Sequence, residues 1–153
     1  MQLYTLGFTQ KRAVTFFELL RQHDVRRLVD IRLNPAGQLA GFAKQDDLPY
    51  FLSKLVAGCQ YVHMPELAPT REILSDYRLD SDWPRYVARF QSLMDERGIP
   101  ETLNRVEFEA LTSCLLCSEP TPEQCHRRLV AERLAACWPD VKVIHYENIS
   151  GHH

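Results

Sequence analysis

The stretch ALTSCLLC at residues 110–117, followed by TPEQCHRRLVAERLAAC at residues 121–137, decides the fold class. The first part is a short apolar run bounded by polar residues, which is typical of a buried strand. The second part is predicted to be a helix, because Thr121 suits an N-cap, Pro122 suits the first helical position, and Gln124 completes a capping box. A buried strand followed by a capped helix is the repeating unit of α/β proteins.

The same alternation continues along the rest of the chain. Strands are also predicted at 3–8, 26–32, 59–65 and 141–147, and helices at 11–24, 46–58 and 82–98, with turns and short helices at 66–84 and 99–109. Continuous apolar strands indicate a mostly parallel sheet that is covered on both faces. We therefore predict one α/β domain over residues 1–153, a three-layer sandwich, with 151–153 as a tail that is either natural or the remnant of a purification tag.

Amphipathic spacing also predicts which helical side chains are buried. In the helix predicted at 46–58, the core is expected to receive the side chains of Tyr50, Leu52, Leu55 and Val56. In the helix predicted at 82–98, Asp82 is the expected N-cap and Gly98 the expected stop. The apolar stripe of that second helix is expected to consist of Tyr86, Phe90, Leu93 and Met94.

Length and composition limit the classes of protein that the chain can represent. The 153 residues are 45% hydrophobic and 25% charged, and the net charge is −2. These are ordinary values for one globular domain, which can fold without a disulfide or a metal ion. The near-neutral charge gives no global attraction to nucleic acid, although it does not forbid a local basic patch.

Cysteine usage points to a reducing compartment. The chain has five cysteines, an odd number, and the N-terminal sequence MQLYTLGFTQKR lacks the pattern of a signal peptide. There is also no apolar run of the roughly 18–20 residues that span a bilayer. We therefore expect a cytoplasmic protein with reduced thiols and no membrane association.

Several polar side chains follow the predicted strands. In open α/β sheets, ligands bind beyond the carboxyl ends of the strands, at a topological switch point. The positions at or just past these ends are Gly7, Asp30, Arg32, the segment 63–66, Cys117, Glu119 and Tyr146. The sequence therefore predicts that these strand ends converge on one crevice.

The cysteine-rich stretch can be interpreted as a metal site, as a reactive thiol site, or as a strand, a turn and a helix with a purely structural role. Cys114 and Cys117 have CxxC spacing, but their spacer is Leu-Leu within a strand, where positions three apart face opposite ways. This geometry disfavours a zinc knuckle and suggests that Cys114 is a small buried hydrophobe. A metal could still be held by a different set, namely Cys117, Glu119, Cys125 and His126.

The start of the predicted helix at 121–137 suits a thiolate or an anion. Cys125 and His126 lie near the positive end of the helix dipole, and Arg127 and Arg128 add positive charge. Such a position lowers the pKa of a thiol and favours a bound anion. The alternative is structural, with Cys125 as a buried cysteine and His126 as a histidine of the core.

The other strand ends offer further candidate ligands. Asp30 and Arg32 lie two apart on one strand face, so the carboxylate can orient the guanidinium toward a phosphate or carboxylate. Lys44 in the following loop and Glu66 after the third strand are additional candidates. Gly7 allows close backbone approach. There is no dinucleotide fingerprint and no phosphate-binding P-loop motif, so the sequence identifies no cofactor.

Four segments together resemble a known bacterial family. They are YTLGF at 4–8, LVDIR at 28–32, YVHMPEL at 61–67 and LLCSEPTPEQCHRRLVAERL at 115–134. Their order and approximate spacing resemble the family catalogued as domain of unknown function 488, over nearly the whole chain. The most specific element is the block with Cys-x-Glu and then Cys-His-Arg.

The resemblance implies a fold and a set of site residues but no reaction. It implies an α/β sandwich in which the motif residues gather at one site: Asp30, Arg32, Pro35, Phe42, Lys44, Cys117, Glu119, Cys125, His126 and Arg127. The loop after Arg32 has fewer arginines than the family pattern, which weakens its case as a phosphate-binding loop. Ala68 stands where glycine is commoner, and Cys114 is outside the pattern.

Two hypotheses about function follow, and whether the chain is an enzyme stays open between them. In the first, the chain is an enzyme or ligand-processing domain for a small anionic or nucleotide-like ligand. Catalytic roles then fall to Cys117, Glu119, Cys125, His126 and Asp30, and ligand binding to Gly7, Arg32, Lys44, Glu66 and Arg127. In the second, the chain is a regulatory module that binds a metal or nucleic acid without catalysis. The sequence does not indicate the oligomeric state.

Overall fold

The computed structural model of the chain describes residues 1–119 and 121–146, except the side chains at positions 38 and 39. The expected tail at 151–153 and the end of the last predicted strand, residue 147, lie outside these residues. The strands are β1 (Gln2–Gly7), β2 (Arg27–Asp30), β3 (Gln60–His63), β4 (Ser113–Cys117) and β5 (Lys142–His145). The helices are α1 (Ala13–Gln22), α2 (Leu48–Leu55), α3 (Arg71–Asp80), α4 (Trp83–Arg97), α5 (Arg105–Ala110) and α6 (His126–Cys137).

The five strands form one parallel sheet in the order β3-β2-β4-β1-β5. The predicted three-layer α/β sandwich is therefore confirmed. Register places Gly7 opposite Cys117 and Asp30 opposite Leu116. The last residues of β1, β2 and β4 thus lie side by side at one edge of the sheet.

The sheet separates two apolar cores. One core lies beneath α1 and α2 and includes Phe16, Leu52 and Cys114; we call this side the α1/α2 face. The other lies beneath α4 and α6 and includes Phe90 and Cys117; we call this side the α4/α6 face. Cys114 and Cys117 are therefore on opposite faces, as strand alternation predicts.

The topological switch point lies between β1 and β4. These strands are neighbours, but the chain leaves β1 through α1 toward β2, and leaves β4 through α6 toward β5. The two crossings run in opposite directions and on opposite faces of the sheet. This is the position where open α/β sheets bind ligands.

Helix α6 begins later than the sequence predicts, because its N-cap is Cys125 rather than Thr121. The Cys125 thiol accepts the amide of Arg127 at 3.5 Å. The Gln124 side chain, expected in a capping box, instead accepts the Tyr77 hydroxyl at 2.9 Å. The predicted capping box is therefore not formed, because Gln124 bonds to a distant helix and Thr121 interacts with the nearby Glu123 side chain.

The structure differs from the sequence predictions for two other helices. The segment 66–84, expected to hold turns and a short helix, contains the ten-residue helix α3, whose N-cap Thr70 accepts the amide of Ile73. In α2, the buried positions are Leu48 and Leu52, whereas Tyr50 and Leu55 are 61% and 49% exposed. The inward orientation expected for Tyr50 and Leu55 was therefore wrong. In α4, by contrast, Asp82 caps the helix and Gly98 ends it, as predicted.

Candidate functional site

A pair of thiols lies at the switch point. Cys117 is the last residue of β4, and Cys125 is the N-cap of α6. Their Sγ atoms are 2.8 Å apart, and both side chains are buried in the core of the α4/α6 face. A strand and a helix therefore hold two sulfur atoms in direct contact at the carboxyl edge of the sheet.

The guanidinium of Arg127 lies beside the thiol pair. It is fully buried, and its Nη1 donates to the Glu119 carbonyl at 2.7 Å and to Cys117 Sγ at 3.5 Å. Nη2 donates to the Tyr146 carbonyl at 3.1 Å. Within residues 1–119 and 121–146, Arg127 has no ion pair with a carboxylate. Because a buried cation without an anion is costly, Cys117 is the group in contact with Arg127 that can supply negative charge.

The contacts of the two thiols give them different acidities. Burial alone would raise the pKa of Cys117, but the hydrogen bond from Cys125 and the charge of Arg127 lower it below its ordinary value. Burial raises the pKa of Cys125 well above its ordinary value, and the neighbouring Cys117 adds to that effect. The arrangement therefore favours a Cys117 thiolate that accepts a hydrogen bond from a Cys125 thiol.

Gly7 is needed for the backbone to close over this site. A Cβ atom at this position would lie 1.5 Å from the Glu119 carbonyl oxygen and 2.5 Å from Arg127 Nη1. The predicted close approach is therefore made by the Glu119 backbone. The Phe8 amide donates to the Cys117 carbonyl at 3.2 Å, which extends the pairing of β1 with β4 past the strand ends. The Glu119 side chain is exposed at the rim.

Asp30 and Arg32 form a buried ion pair, as the sequence predicts. Arg32 Nε donates to Asp30 Oδ1 at 2.8 Å, and Nη2 donates to Oδ2 at 2.7 Å. Nη2 also donates to the Ala43 carbonyl at 2.6 Å, and the guanidinium lies 5.3 Å from the centre of the Phe8 ring. The Tyr61 hydroxyl donates to Asp30 Oδ2 at 2.5 Å. The charge of Arg32 is thus already neutralised within the fold.

The structure divides the expected single constellation into two clusters. Asp30 and Arg32 contact Tyr61 and Phe8, which pack on the α1/α2 face, whereas Cys117 and its partners pack on the α4/α6 face. Both clusters lie at the same edge of the sheet. They are joined by backbone and by one histidine.

His126 joins the two clusters at the sheet edge. Its Nε2 donates to the Ile31 carbonyl at 2.7 Å, between Asp30 and Arg32 in the chain. Burial lowers the pKa of His126 to about 4, against a smaller opposing effect of the hydrogen bond to Ile31. The ring is therefore neutral near pH 7, with the proton on Nε2 and a lone pair on Nδ1.

The remaining predicted ligand-binding residues lie around these clusters. Lys44 is half-buried and follows Ala43, whose carbonyl accepts Arg32. Glu66 is exposed in the turn after β3, and its carbonyl accepts Arg97 Nη1 at 2.8 Å. The geometry gives neither side chain a contact with the thiol pair among the described residues.

Sequence reasoning missed two side chains that complete the Asp30–Arg32 cluster. Tyr61 donates to the carboxylate, and Phe8 lies against the guanidinium. Tyr61 shares a strand face with His63, which is paired with Asp30 in the sheet. That proximity follows only from the pairing of β2 with β3, which local sequence patterns do not specify.

Metal ligation was another interpretation of the cysteine-rich stretch. Within the described ranges, no group of three or more His, Cys, Asp and Glu side chains is arranged to hold a metal ion. His126 directs Nε2 to a backbone carbonyl, and Glu119 is exposed whereas the two thiols are buried. In the same part of the chain, no helix is both long and apolar enough to cross a membrane.

The fold and these contacts define an α/β protein with a thiol–arginine cluster at its switch point. Residues 12–134 match the family model described as "Domain of unknown function DUF488", and the chain belongs to that family. The matched range includes Asp30, Arg32, Arg127 and the thiol pair, whereas Gly7, Phe8 and Tyr146 lie outside it. Comparisons with curated proteins and with solved structures found no match.

Proposed function

We propose that the chain is a cytoplasmic, thiol-dependent enzyme or ligand-processing domain that acts on a small anionic or nucleotide-like ligand. The thiolate is Cys117, and the cation that stabilises both thiolate and ligand is Arg127. Glu119, at the exposed rim, is the candidate acid or base. The cytoplasmic location is proposed because all five cysteines are free thiols in the fold.

One observation carries this proposal: Arg127 is buried without a carboxylate partner among the described residues and contacts Cys117 Sγ. A structural arginine at this depth is ordinarily matched by an acid, as Arg32 is by Asp30. Pairing with a thiol instead keeps a nucleophile in its reactive form. It also leaves a positive charge that a bound anion can share.

The contacts of Arg127 suggest how a ligand would enter. Its Nη1 donates to the carbonyl of Glu119, which belongs to the segment that leads away from β4. An anionic oxygen is a stronger acceptor than a neutral carbonyl, so a phosphate or carboxylate would compete for this donor. Displacement of the Glu119 backbone would then expose Cys117 to the ligand.

The thiolate is tested by ultraviolet difference titration of the native protein against Cys117→Ser. Thiolate absorbs in the far ultraviolet and thiol does not, so the difference should titrate below the ordinary thiol pKa of about 8.5. Arg127→Met, which keeps the apolar volume, should move this titration upward. Cys137→Ser, at an exposed thiol, is the matched control and should leave it unchanged. A difference spectrum that is absent at neutral pH would contradict the proposal.

Ligand binding is tested by thermal shift with inorganic phosphate and with nucleoside monophosphates. We expect at least one of these anions to raise the Tm of the native protein, and Arg127→Met to abolish the rise. Arg85→Met, on the exposed surface of α4, controls for loss of a positive charge. An equal rise in all three proteins would show nonspecific ion effects and contradict a site at Arg127.

A further inference from the structure

The thiol pair has a geometry that the proposed ligand chemistry does not use. The Sγ atoms of Cys117 and Cys125 are 2.8 Å apart, and disulfide sulfurs are about 2.0 Å apart. Each sulfur would need to move only about 0.4 Å to close that gap. Neither sulfur needs a large backbone movement to meet the other.

Regular structure on both sides holds the two sulfurs together. Cys117 ends the fully buried strand β4, and Cys125 is fixed by the cap contact between its thiol and the amide of Arg127. The two cysteines are eight residues apart in the chain, and each lies at the end of a regular element. Pairing of these thiols is a property of the fold rather than a chance encounter of a mobile loop.

The surroundings assign different roles to the two sulfurs. Cys117 contacts the Arg127 guanidinium at 3.5 Å, so it is the sulfur that is stabilised as an anion and attacks an oxidant. Cys125 keeps its proton and is placed to react next. The other thiols lack this pattern: Cys114 faces the opposite core, and burial raises the pKa of Cys59 to about 11.

We propose that Cys117 and Cys125 are a reversible two-electron redox pair, which a hydroperoxide oxidises to an intramolecular disulfide. The Cys117 thiolate attacks the peroxide oxygen, the O–O bond breaks, and the leaving alkoxide or hydroxide takes a proton from water. This step yields a Cys117 sulfenic acid. The Cys125 sulfur then attacks the Cys117 sulfur, forms the S–S bond and releases water. Two thiols are oxidised, and one hydroperoxide is reduced to an alcohol or to water.

Oxidation would change the charge balance of the site. The disulfide has no anionic sulfur, so Arg127 loses the thiolate that offsets its charge. Switching of the enzyme by this reaction rests on the proposed function, because it requires Cys117 to act as the thiolate there. The disulfide itself does not depend on any ligand and can be tested alone.

The test uses the full chain, reduced and then treated with one equivalent of hydrogen peroxide. Free thiols are then blocked with an alkylating agent, and the intact mass and proteolytic peptides are measured. We expect two fewer alkylated thiols, a peptide cross-link between Cys117 and Cys125, and full reversal by dithiothreitol. Cys59, Cys114 and Cys137 should remain alkylatable after denaturation.

Two variants make the assignment specific. In Cys125→Ser, the disulfide should be absent and Cys117 should accumulate as a sulfenic acid that dimedone traps. In Cys117→Ser, neither the disulfide nor a dimedone adduct should form at Cys125. Cys137→Ser is the control and should form the cross-link as the native protein does.

Several outcomes would overturn this redox pair. They are four or more alkylatable thiols after peroxide, a cross-link that involves other cysteines, or a dimedone adduct that favours Cys125. If the thiols resist peroxide while the ultraviolet titration still shows a Cys117 thiolate, the redox inference fails and the proposed function stands. If the cross-link forms but phosphate and nucleotides do not bind at Arg127, the redox inference stands and the proposed function fails.

Discussion

At the scale of single residues, two buried arginines at one sheet edge are neutralised in different ways. Arg32 makes a two-bond ion pair with Asp30, whereas Arg127 donates to two carbonyl oxygens and a sulfur. The first arrangement neutralises the charge of Arg32 within the fold, although Arg32 Nη1 is buried without a hydrogen-bond partner among the described residues. The second depends on the protonation state of a thiol, so the two arginines should respond differently to mutation and to pH.

Replacement of Asp30 by Asn should be strongly destabilising. The change removes the negative charge but leaves the Arg32 guanidinium buried, and breaking a buried pair in this way costs about 3–5 kcal/mol. Tyr61→Phe removes one hydrogen bond to the same carboxylate and should cost less, about 1.5–3 kcal/mol, because the ion pair stays in place. Urea denaturation measures both free energies of unfolding. Equal effects of the two substitutions would contradict the importance of the ion pair.

Acid should destabilise the fold through His126. The pKa of this residue is lowered from 6.5 to about 4, so below pH 6.5 the unfolded chain binds a proton that the folded chain does not. Its stabilising contribution is complete above pH 6.5 and decreases as the pH falls toward 4. The decrease in the free energy of unfolding should be about 2 kcal/mol. This is less than the full difference in pKa would give, because the half-buried ring keeps part of its hydration.

The comparison for this pH effect is His126→Asn, which keeps a donor for the Ile31 carbonyl but does not titrate. The difference in free energy of unfolding between native and variant proteins should narrow as the pH falls from 6.5 to 4. Urea denaturation at a series of pH values measures it. A constant difference would show that His126 does not titrate in this range.

At the scale of secondary-structure elements, the contact of β1 with the segment after β4 depends on one missing side chain. Gly7→Ala would place a methyl group against the Glu119 carbonyl and should cost at least about 3 kcal/mol, since backbone rather than a flexible side chain must move. Gly37→Ala is the control, because a Cβ there meets nothing within 4 Å. That change should cost less than about 0.5 kcal/mol by urea denaturation. Similar values for both would contradict the close approach at Gly7.

The elements also show what local sequence can and cannot predict. The strand and helix order followed from apolar runs and caps, because hydrophobic periodicity is a local property. The start of α6 did not, because it depends on contacts of Cys125 with Cys117 and of Gln124 with Tyr77, which lie in other elements of the fold. The exposure of Tyr50 and Leu55 was missed because α2 is only eight residues long. So short a helix has too few apolar positions to show from sequence which of its faces is buried.

At the scale of the whole molecule, the sheet isolates two cores. Ile73→Val on the α4/α6 face and Val56→Ala on the α1/α2 face should each cost about 1–2 kcal/mol. Because the sheet separates the two positions, the double variant should lose the sum within about 0.5 kcal/mol. Urea denaturation of the native protein, the two single variants and the double variant measures these free energies of unfolding. A larger deviation would show that the two cores are coupled across the sheet.

The same separation explains why the site was only partly predictable. The sequence indicates that Asp30 and Cys117 end strands, but a shared pocket also requires the correct register. Asp30 is paired with Leu116, so Cys117 falls one residue further along and faces the opposite side. A one-residue shift changes the face of every side chain. No local pattern specifies that register, which depends on which strands are neighbours.

The contact between Cys125 and the start of helix α6 should make oxidation of the thiols visible by NMR spectroscopy. The sulfur of Cys125 faces Cys117 and also accepts the amide of Arg127, the second residue of the helix. A change in bonding at that sulfur alters the shielding of the amide proton. In isotope-labelled protein, the backbone amide resonance of Arg127 should therefore follow the oxidation of the pair in real time, without any substrate.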